Sequence, residues 1–251
     1  MAAYPERLPI NIVPVLCSAL GVALKVENVF TEEQAQYFYQ RCEAELKDLP
    51  PDFYKDPFTK EIKEVTRQSS VFTDQTFIDI SYGGAGRTFL NFTPLHYEIR
   101  EIVKPIVPLI RQWFYNTYQA VYTIKGGFNE QNLIDFLTRP PQYNLVVTNR
   151  YQDGNSVIGK HQDPKGSYDE ILSCSFGPTR DLAIHPESKA AWDAWPFPQD
   201  GKKPKKSFNV EQKPTSLFVM TGAMQENWQH SLPARKGVSI PRYNFTFRTT
   251  G

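Results

Sequence analysis

Cysteine, net charge and long apolar runs are all scarce in this chain. The cysteines Cys17, Cys42 and Cys174 are odd in number and irregularly spaced, which excludes a disulfide framework and a zinc knuckle and predicts reduced thiols in an intracellular protein. The formal net charge of +1 excludes a globally basic coat for nucleic acid, although it leaves a local basic groove open. The apolar stretch from Ile10 to Leu24 is too short to span a bilayer and has no basic leader, so we expect a packed strand or loop and neither a signal peptide nor a membrane anchor.

The length and apolar content allow one large domain or two small ones, and we predict a single domain. A chain of 251 residues with 40% hydrophobic content can bury a sizeable core. Within this domain we distinguish an N-terminal segment (1–30), a region of helices and loops (31–142) and a strand-rich region (143–251).

Helix signals dominate the middle region. Thr31, with Gln34 three residues later, has the form of a capping box, and the apolar spacing after it predicts an amphipathic helix. The Thr-Pro pair at 93–94 opens a second helix, which Pro105 interrupts before a further helical stripe. A short helix is also predicted over 132–137.

Two other segments are rich in turn-forming or charged residues. Residues 50–93 predict turns and short strands, in which Arg67, Phe72 and Asp74 would lie on a surface loop or edge strand. The lysine-rich run at 202–206 predicts a solvated loop, with nuclear targeting or phosphate contact as the alternative.

From residue 143 the pattern becomes typical of strands. Alternation over 143–151 predicts one strand, the Asp-Gly pair at 153–154 a turn, and the runs at 173–177 and 216–220 further strands. Short strands separated by turns favour a sandwich or jelly roll, and together with the helices they predict an α+β fold.

Three residues form a candidate metal site. His161 and Asp163 are two apart, so an extended backbone would project both side chains to the same face. With His230 as a third ligand from elsewhere in the chain, two imidazoles and one carboxylate would occupy one face of the metal, as expected of non-heme Fe(II) oxygenases. The spacing alone is a weak signal, because it occurs often by chance.

The final strand carries the second candidate site. Over 242–248, Arg242, Asn244, Thr246 and Arg248 share one face, and three aromatic residues share the other. Buried guanidinium groups are costly unless paired, and a dicarboxylate ligand would pair with both arginines. The alternative is an outward-facing edge strand with solvated arginines.

These segments resemble the AlkB family of nucleic-acid dealkylases. The resemblance extends from about Tyr143 to Gly251, and several motifs are similar to those of the eukaryotic-type DNA and RNA repair members. The motifs, in order, are Asn149-Arg150-Tyr151, His161-Gln162-Asp163, Ser173-x-Ser175-Phe176-Gly177-x-x-Arg180, Gly222-Ala223-x-Gln225-x-x-Trp228-Gln229-His230 and Arg242-Tyr243-Asn244-Phe245-Thr246-Phe247-Arg248.

The resemblance implies an Fe(II)- and 2-oxoglutarate-dependent dioxygenase that uses O2 to demethylate bases, with a double-stranded β-helix core, helices packed on one sheet and an N-terminal substrate-facing lid. It also implies a nucleic-acid substrate, a monomer and a location in the nucleus or cytoplasm. Fe(II) would be held by His161, Asp163 and His230. The 2-oxoglutarate pocket would comprise Asn149, Tyr151, Arg242, Asn244 and Arg248, and the substrate would meet Arg67, Phe72, Asp74 and Lys165.

The chain departs from the family pattern after the metal Asp. Members acting on methylated adenine or cytosine commonly have an acidic residue two positions later, where this chain has Lys165, so Asp169 and Glu170 are candidate replacements and the target base stays open. His96 and His185 match no family ligand and are predicted to be structural or surface residues. The alternatives to demethylation are hydroxylation of a protein side chain or small molecule, and a non-catalytic nucleic-acid-binding module.

Overall fold

Two β-sheets form the framework of the described chain. The computed structural model describes residues 9–18, 21–55, 59–74, 89–124, 137–163, 170–193, 207–221 and 224–249. The strands are β1 (Asn11–Ser18), β2 (Gly21–Glu27), β3 (Pro51–Lys55), β4 (Ile62–Thr73), β5 (Phe89–Asn91), β6 (Leu145–Tyr151), β7 (Ile158–His161), β8 (Ile171–Phe176), β9 (Arg180–Pro186), β10 (Phe208–Gln212), β11 (Leu217–Thr221), β12 (Trp228–Leu232) and β13 (Arg242–Arg248).

The strand order is that of a jelly roll, as predicted. The large sheet has the order β1-β2-β11-β8-β13-β6-β4-β3, and β5 joins it by parallel pairing with β4. The small sheet has the order β10-β9-β12-β7. Strands distant in sequence are neighbours in both sheets, so residues far apart along the chain meet between them.

The described helices are α1 (Glu32–Glu45), α2 (Pro94–Val103), α3 (Val107–Ile124), α4 (Lys189–Asp193) and α5 (Met224–Asn227), with a 3-10 turn over Lys104–Ile106. Helices α1, α2 and α3 pack on the large sheet. The predicted capping box is confirmed: the Thr31 hydroxyl accepts from the Gln34 backbone N–H at 3.2 Å, and the Gln34 side chain accepts from the Thr31 N–H at 3.0 Å. The 3-10 turn lies at Pro105, where the sequence predicts the interruption.

The core is divided by the large sheet. Phe38 of α1, Ile99 of α2 and Phe245 of β13 belong to the main cluster, which lies between the helices and the sheet. A second cluster, which includes Ile184 of β9 and Phe218 of β11, lies between the two sheets. The described helices therefore cover one face of the large sheet and the small sheet covers the other.

Strand β13 confirms the predicted division into an aromatic and a polar face. Tyr243, Phe245 and Phe247 belong to the main cluster. Arg242 and Arg248 face the space between the sheets, and both are only 3% exposed. Because β13 pairs with β6 on one side and β8 on the other, the alternative of an edge strand with solvated arginines is wrong.

The prediction for residues 50–93 was partly wrong. Strand β4 has twelve residues and lies between β3 and β6, so it is neither short nor at an edge. It extends the large sheet because it pairs with β6 along its second half, from Arg67 to Thr73.

Several other predictions can be compared with the structure. The strands at 171–176, 217–221 and 145–151 lie within two residues of the predicted ones, and the apolar N-terminal segment forms the β1–β2 hairpin. The lysine-rich run and nearly all of the helix at 132–137 lie outside the described residues. In the described ranges no helix has both the length and the hydropathy needed to cross a bilayer.

Candidate functional site

The structure brings the three predicted metal ligands together. Strand β12 pairs with β7 so that His230 lies directly opposite His161, and Asp163 follows two residues after His161. The Nε2 atom of His161 lies 3.9 Å from Asp163 Oδ1, and the Nε2 atom of His230 lies 3.8 Å from Asp163 Oδ2. One potential ligand atom from each residue lies within 4.8 Å of the other two, which is close enough for one ion to contact all three.

The surroundings orient these side chains toward a common point. The Nδ1 atom of His161 is 2.9 Å from the Gly159 carbonyl, so an N–H there donates to that oxygen and leaves the Nε2 lone pair for a metal. Arg248 Nη2 lies 2.5 Å from Asp163 Oδ1. Among the described residues, the buried Oδ2 atom of Asp163 has no hydrogen-bond partner. Such an orphaned carboxylate oxygen, between two imidazole nitrogens, is the donor expected of a metal site.

The electrostatics favour the protonation states that metal binding requires. Burial lowers the pKa of His230 to about 4 and also lowers that of His161, so both rings are neutral near pH 7. Burial alone would raise the pKa of Asp163, but the charge of Arg248, which also bonds to Oδ1, is the main opposing influence, and that pKa lies below its usual value. Two neutral imidazoles and one carboxylate are therefore available.

A cavity of about 210 Å³ adjoins this cluster between the two sheets. The large sheet contributes two rows of residues in register: Arg67, Tyr151 and Arg242 in one, and Ser69, Asn149 and Asn244 in the next. The small sheet contributes the metal cluster and apolar side chains. The predicted cosubstrate residues that line the cavity are Asn149, Tyr151, Arg242, Asn244 and Arg248.

The wall around Tyr151 has an excess of buried positive charge. The guanidinium carbons of Arg180 and Arg242 each lie 5.7 Å from the centre of the Tyr151 ring. Arg180 donates to three neutral backbone carbonyls at 2.6–3.0 Å. Burial lowers the pKa of Arg242 to about 10, and its Nε atom has no hydrogen-bond partner among the described residues. A ligand carboxylate would pair with the buried positive charge at this end of the cavity.

Asn244 is held by the protein itself. Its amide nitrogen lies 2.8, 3.0 and 3.1 Å from Ser173 Oγ, the Cys174 carbonyl and Ser175 Oγ, and its oxygen accepts from the Thr246 hydroxyl at 3.2 Å. These contacts tie β13 to β8. Asn244 therefore forms part of the cavity wall, and its side-chain oxygen and nitrogen are already hydrogen-bonded within the protein.

Two of the predicted substrate residues lie away from the cavity. Arg67 lines it, but Phe72 is buried in the main core with its ring centre 4.2 Å from that of His96, and Asp74 pairs with Arg100. The position of Phe72 in the core does not support its predicted contact with substrate, whereas the contact predicted for the exposed Asp74 stays a prediction. Strand parity places Phe72 in the core: Arg67 and Phe72 are five positions apart on β4, so they project to opposite faces. Lys165 lies outside the described residues.

Glu170 does not take the place of the acidic residue with which family members contact the methylated base. It is buried, and its two carboxylate oxygens accept from Arg111 of α3 at 2.6 and 2.9 Å. His96 and His185 are structural, as predicted: His96 contacts Thr148 at 3.2 Å, and His185 contacts a serine hydroxyl at 2.9 Å. Asp169 lies outside the described residues.

Sequence reasoning gave no role to Gln225. Its side-chain oxygen accepts from the backbone N–H of Asp163 at 2.8 Å. The residue lies in the motif that ends at His230, which is the only signal in the sequence that could have drawn attention to it.

Comparison with known proteins decides the family. A family model described as the 2OG-Fe(II) oxygenase superfamily matches residues 25–248. The chain belongs to this superfamily. The predicted resemblance to AlkB proteins is confirmed by relatives: the human DNA oxidative demethylase ALKBH2 is 37% identical over 113 residues, which are 42% of this chain and 39% of the relative.

Other comparisons agree with this placement. The mouse alpha-ketoglutarate-dependent dioxygenase alkB homolog 3 is 30% identical over 135 residues, covering 52% of this chain and 42% of the relative. The chain thus spans about two fifths of the length of these curated relatives. The solved structure of OsALKBH1 matches with a TM-score of 0.56 and 13% identity, over 96% of this chain and all of that one, which shows a shared fold.

Superfamily membership implies Fe(II), 2-oxoglutarate and O2, and the residues present fit these groups. The His-Asp-His cluster offers the donor set that Fe(II) takes in such oxygenases, with positions left for other ligands. The underpaired guanidinium of Arg242 offers a partner for a carboxylate.

Proposed function

We propose that this protein is a dioxygenase that oxidatively demethylates N-alkylated bases in nucleic acid. The observation that carries the proposal is a single cavity that joins a His-Asp-His cluster to two buried arginines. The nucleic-acid substrate is supported by relatives named as DNA oxidative demethylases. We further propose one catalytic domain acting as a monomer in the nucleus or cytoplasm, where reduced thiols such as buried Cys42 and Cys174 persist.

Each residue has a definite part in this proposal. His161, Asp163 and His230 would hold Fe(II), with Asp163 donating through Oδ2 because Arg248 occupies Oδ1. Arg248 would bind the cosubstrate carboxylate nearer the metal, since it already contacts a metal ligand. Arg242 would bind the distant carboxylate beside Tyr151.

The reaction follows from the groups that would be bound. Bound Fe(II) would supply the oxidising chemistry: one oxygen atom of O2 would enter 2-oxoglutarate, giving succinate and CO2, and the other would be inserted into a C–H bond of the N-methyl group. The hydroxymethyl product then loses formaldehyde and leaves the unmodified base. The apolar side chains Leu182, Phe218 and Leu232 line the cavity and would exclude water from these steps.

Succinate and formaldehyde release would test the proposal. The protein, with Fe(II) and 2-oxoglutarate, is screened against single- and double-stranded DNA and RNA oligonucleotides carrying methylated adenine or cytosine. His161→Ala should reduce succinate release by more than about 100-fold, above the loss typical of residues that only support ligands. His185→Gln is the matched control, because His185 lies in the same sheet but contacts Ser231.

The outcomes separate the alternatives. Succinate without formaldehyde on every oligonucleotide would reject demethylation and favour hydroxylation of a protein or small molecule. Fe(II) binding without succinate release by the wild type, and no effect of His161→Ala, would reject catalysis altogether.

A further inference from the structure

Gln225 lies on the helix that leads into β12 and bonds to the backbone of a residue in the metal cluster. It lies on α5, five residues before His230, yet its side-chain Oε1 accepts from the backbone N–H of Asp163 at 2.8 Å. Its Nε2 donates to the Met220 sulfur at 3.3 Å. The amide is thus held in one orientation, because the sulfur can accept a hydrogen bond but has no proton to donate.

Asp163 needs such a support because it lies beyond the end of its strand. Strand β7 ends at His161, so the sheet pairing described for β7 does not include Asp163. The aspartate is nevertheless 94% buried. Its backbone is held by Gln225 and its Oδ1 by Arg248, which together leave Oδ2 facing His230.

We propose that Gln225 is a positioning residue for the metal: it sets the aspartate ligand relative to the histidine of β12. The inference rests on the proposed function, since it assumes that Asp163 and His230 bind the same ion. Loss of the amide would leave a buried N–H without its acceptor, and the ligand would move to find another. Mutation of a residue that orients a metal ligand typically weakens metal binding by about 10–100-fold.

The test uses Gln225→Met, which keeps the length and most of the volume of the side chain but removes the acceptor oxygen. Co(II) is titrated into the metal-free protein, and its dissociation constant is read by calorimetry and by visible absorption. We expect the constant to rise about 10–100-fold. Glu226→Gln, an exposed neighbour on the same helix, should bind Co(II) like the wild type.

A second readout separates positioning from general damage. At saturating Fe(II), Gln225→Met should leave the KM for 2-oxoglutarate within about twofold of the wild type, whereas Arg242→Lys should raise that KM and leave Co(II) affinity unchanged. Thermal unfolding of each variant checks that it is folded.

Each result decides between the hypotheses. A folded Gln225→Met protein that binds Co(II) as tightly as the wild type would overturn the inference while leaving the proposed function intact. Parallel losses of Co(II) and 2-oxoglutarate affinity would also overturn it, since they indicate a disturbed fold. A wild-type protein that fails to bind Co(II) would reject the metal site itself.

Discussion

Replacement of Arg242 by methionine should stabilise the ligand-free protein and abolish its response to 2-oxoglutarate. Arg242 is 3% exposed, and its titratable neighbours among the described residues are Tyr151, Arg180 and Cys174, none of which is a carboxylate. Burial lowers its pKa from 12.5 to about 10. Because the charged form is the one that burial disfavours, the native state at neutral pH is destabilised relative to the unfolded chain.

The size of this effect follows from the pKa. At about 1.4 kcal/mol for each pKa unit, the lowering corresponds to about 3 kcal/mol. Methionine fills less of the site and loses the contact with the Tyr151 ring, so we expect a smaller net gain of about 1–2 kcal/mol in the free energy of unfolding. For a chain of this size, that gain would raise the Tm by roughly 2–8 °C.

The assay is thermal and urea unfolding with and without 2-oxoglutarate, in the presence of Mn(II) to occupy the metal site without turnover. At a concentration 100-fold above its Kd, the ligand should stabilise the wild type by about 2.7 kcal/mol and Arg242→Met by much less. Arg150→Met is the matched control on the same sheet. Arg150 donates to Tyr243 at 3.1 Å and to Gln68 at 2.6 Å, so its loss should destabilise the protein and preserve the ligand response.

Two results would refute this reasoning. A ligand-free Arg242→Met protein that unfolds more easily than the wild type by over about 1 kcal/mol would mean that the guanidinium is well satisfied without ligand. An undiminished response to 2-oxoglutarate would mean that the carboxylate binds elsewhere in the cavity.

Three further predictions concern residues outside the cavity. Burial lowers the pKa of His96 to about 3, so the unfolded chain takes up a proton first as pH falls below about 6.5, and between there and pH 5 this histidine should remove about 2 kcal/mol of stability. Urea unfolding at pH 7 and pH 5 should therefore show a smaller loss of stability for His96→Asn than for the wild type. Equal losses in the two proteins would contradict the conclusion that His96 is neutral in the folded protein. Arg111→Leu or Glu170→Leu alone should cost about 3–5 kcal/mol, and the double variant less than the sum, because each single change leaves a buried charge unpaired. Thr31→Ala should cost about 1 kcal/mol with unchanged succinate release, and a loss well below that would show that the capping box contributes little.

The parts of the fold that depend on local pattern could be predicted from the sequence. The capping box at Thr31 and the alternation along β13 involve residues a few positions apart, so the chain itself specifies them. The predicted position of Phe72 on a surface loop or edge strand was wrong, because β4 is an internal strand and its period of two directs Phe72 into the main core.

Long-range contacts could not be predicted from local pattern. The pairing of His161 with His230 depends on the register of β7 and β12, and the resemblance to AlkB proteins supplied it where periodicity could not. The resemblance named no partner for Gln225 or for Arg111, and the bonds that these residues make to Asp163 and Glu170 join positions about 60 apart, which local pattern does not connect.

The ion pair between Arg111 and Glu170 also bears on the redesign of the helical layer. It joins α3 to the residue directly before β8, and neither Arg111 nor Glu170 lines the cavity. A pair of apolar side chains of similar volume at these two positions should therefore keep the helix on the sheet and leave the shape of the cavity unchanged.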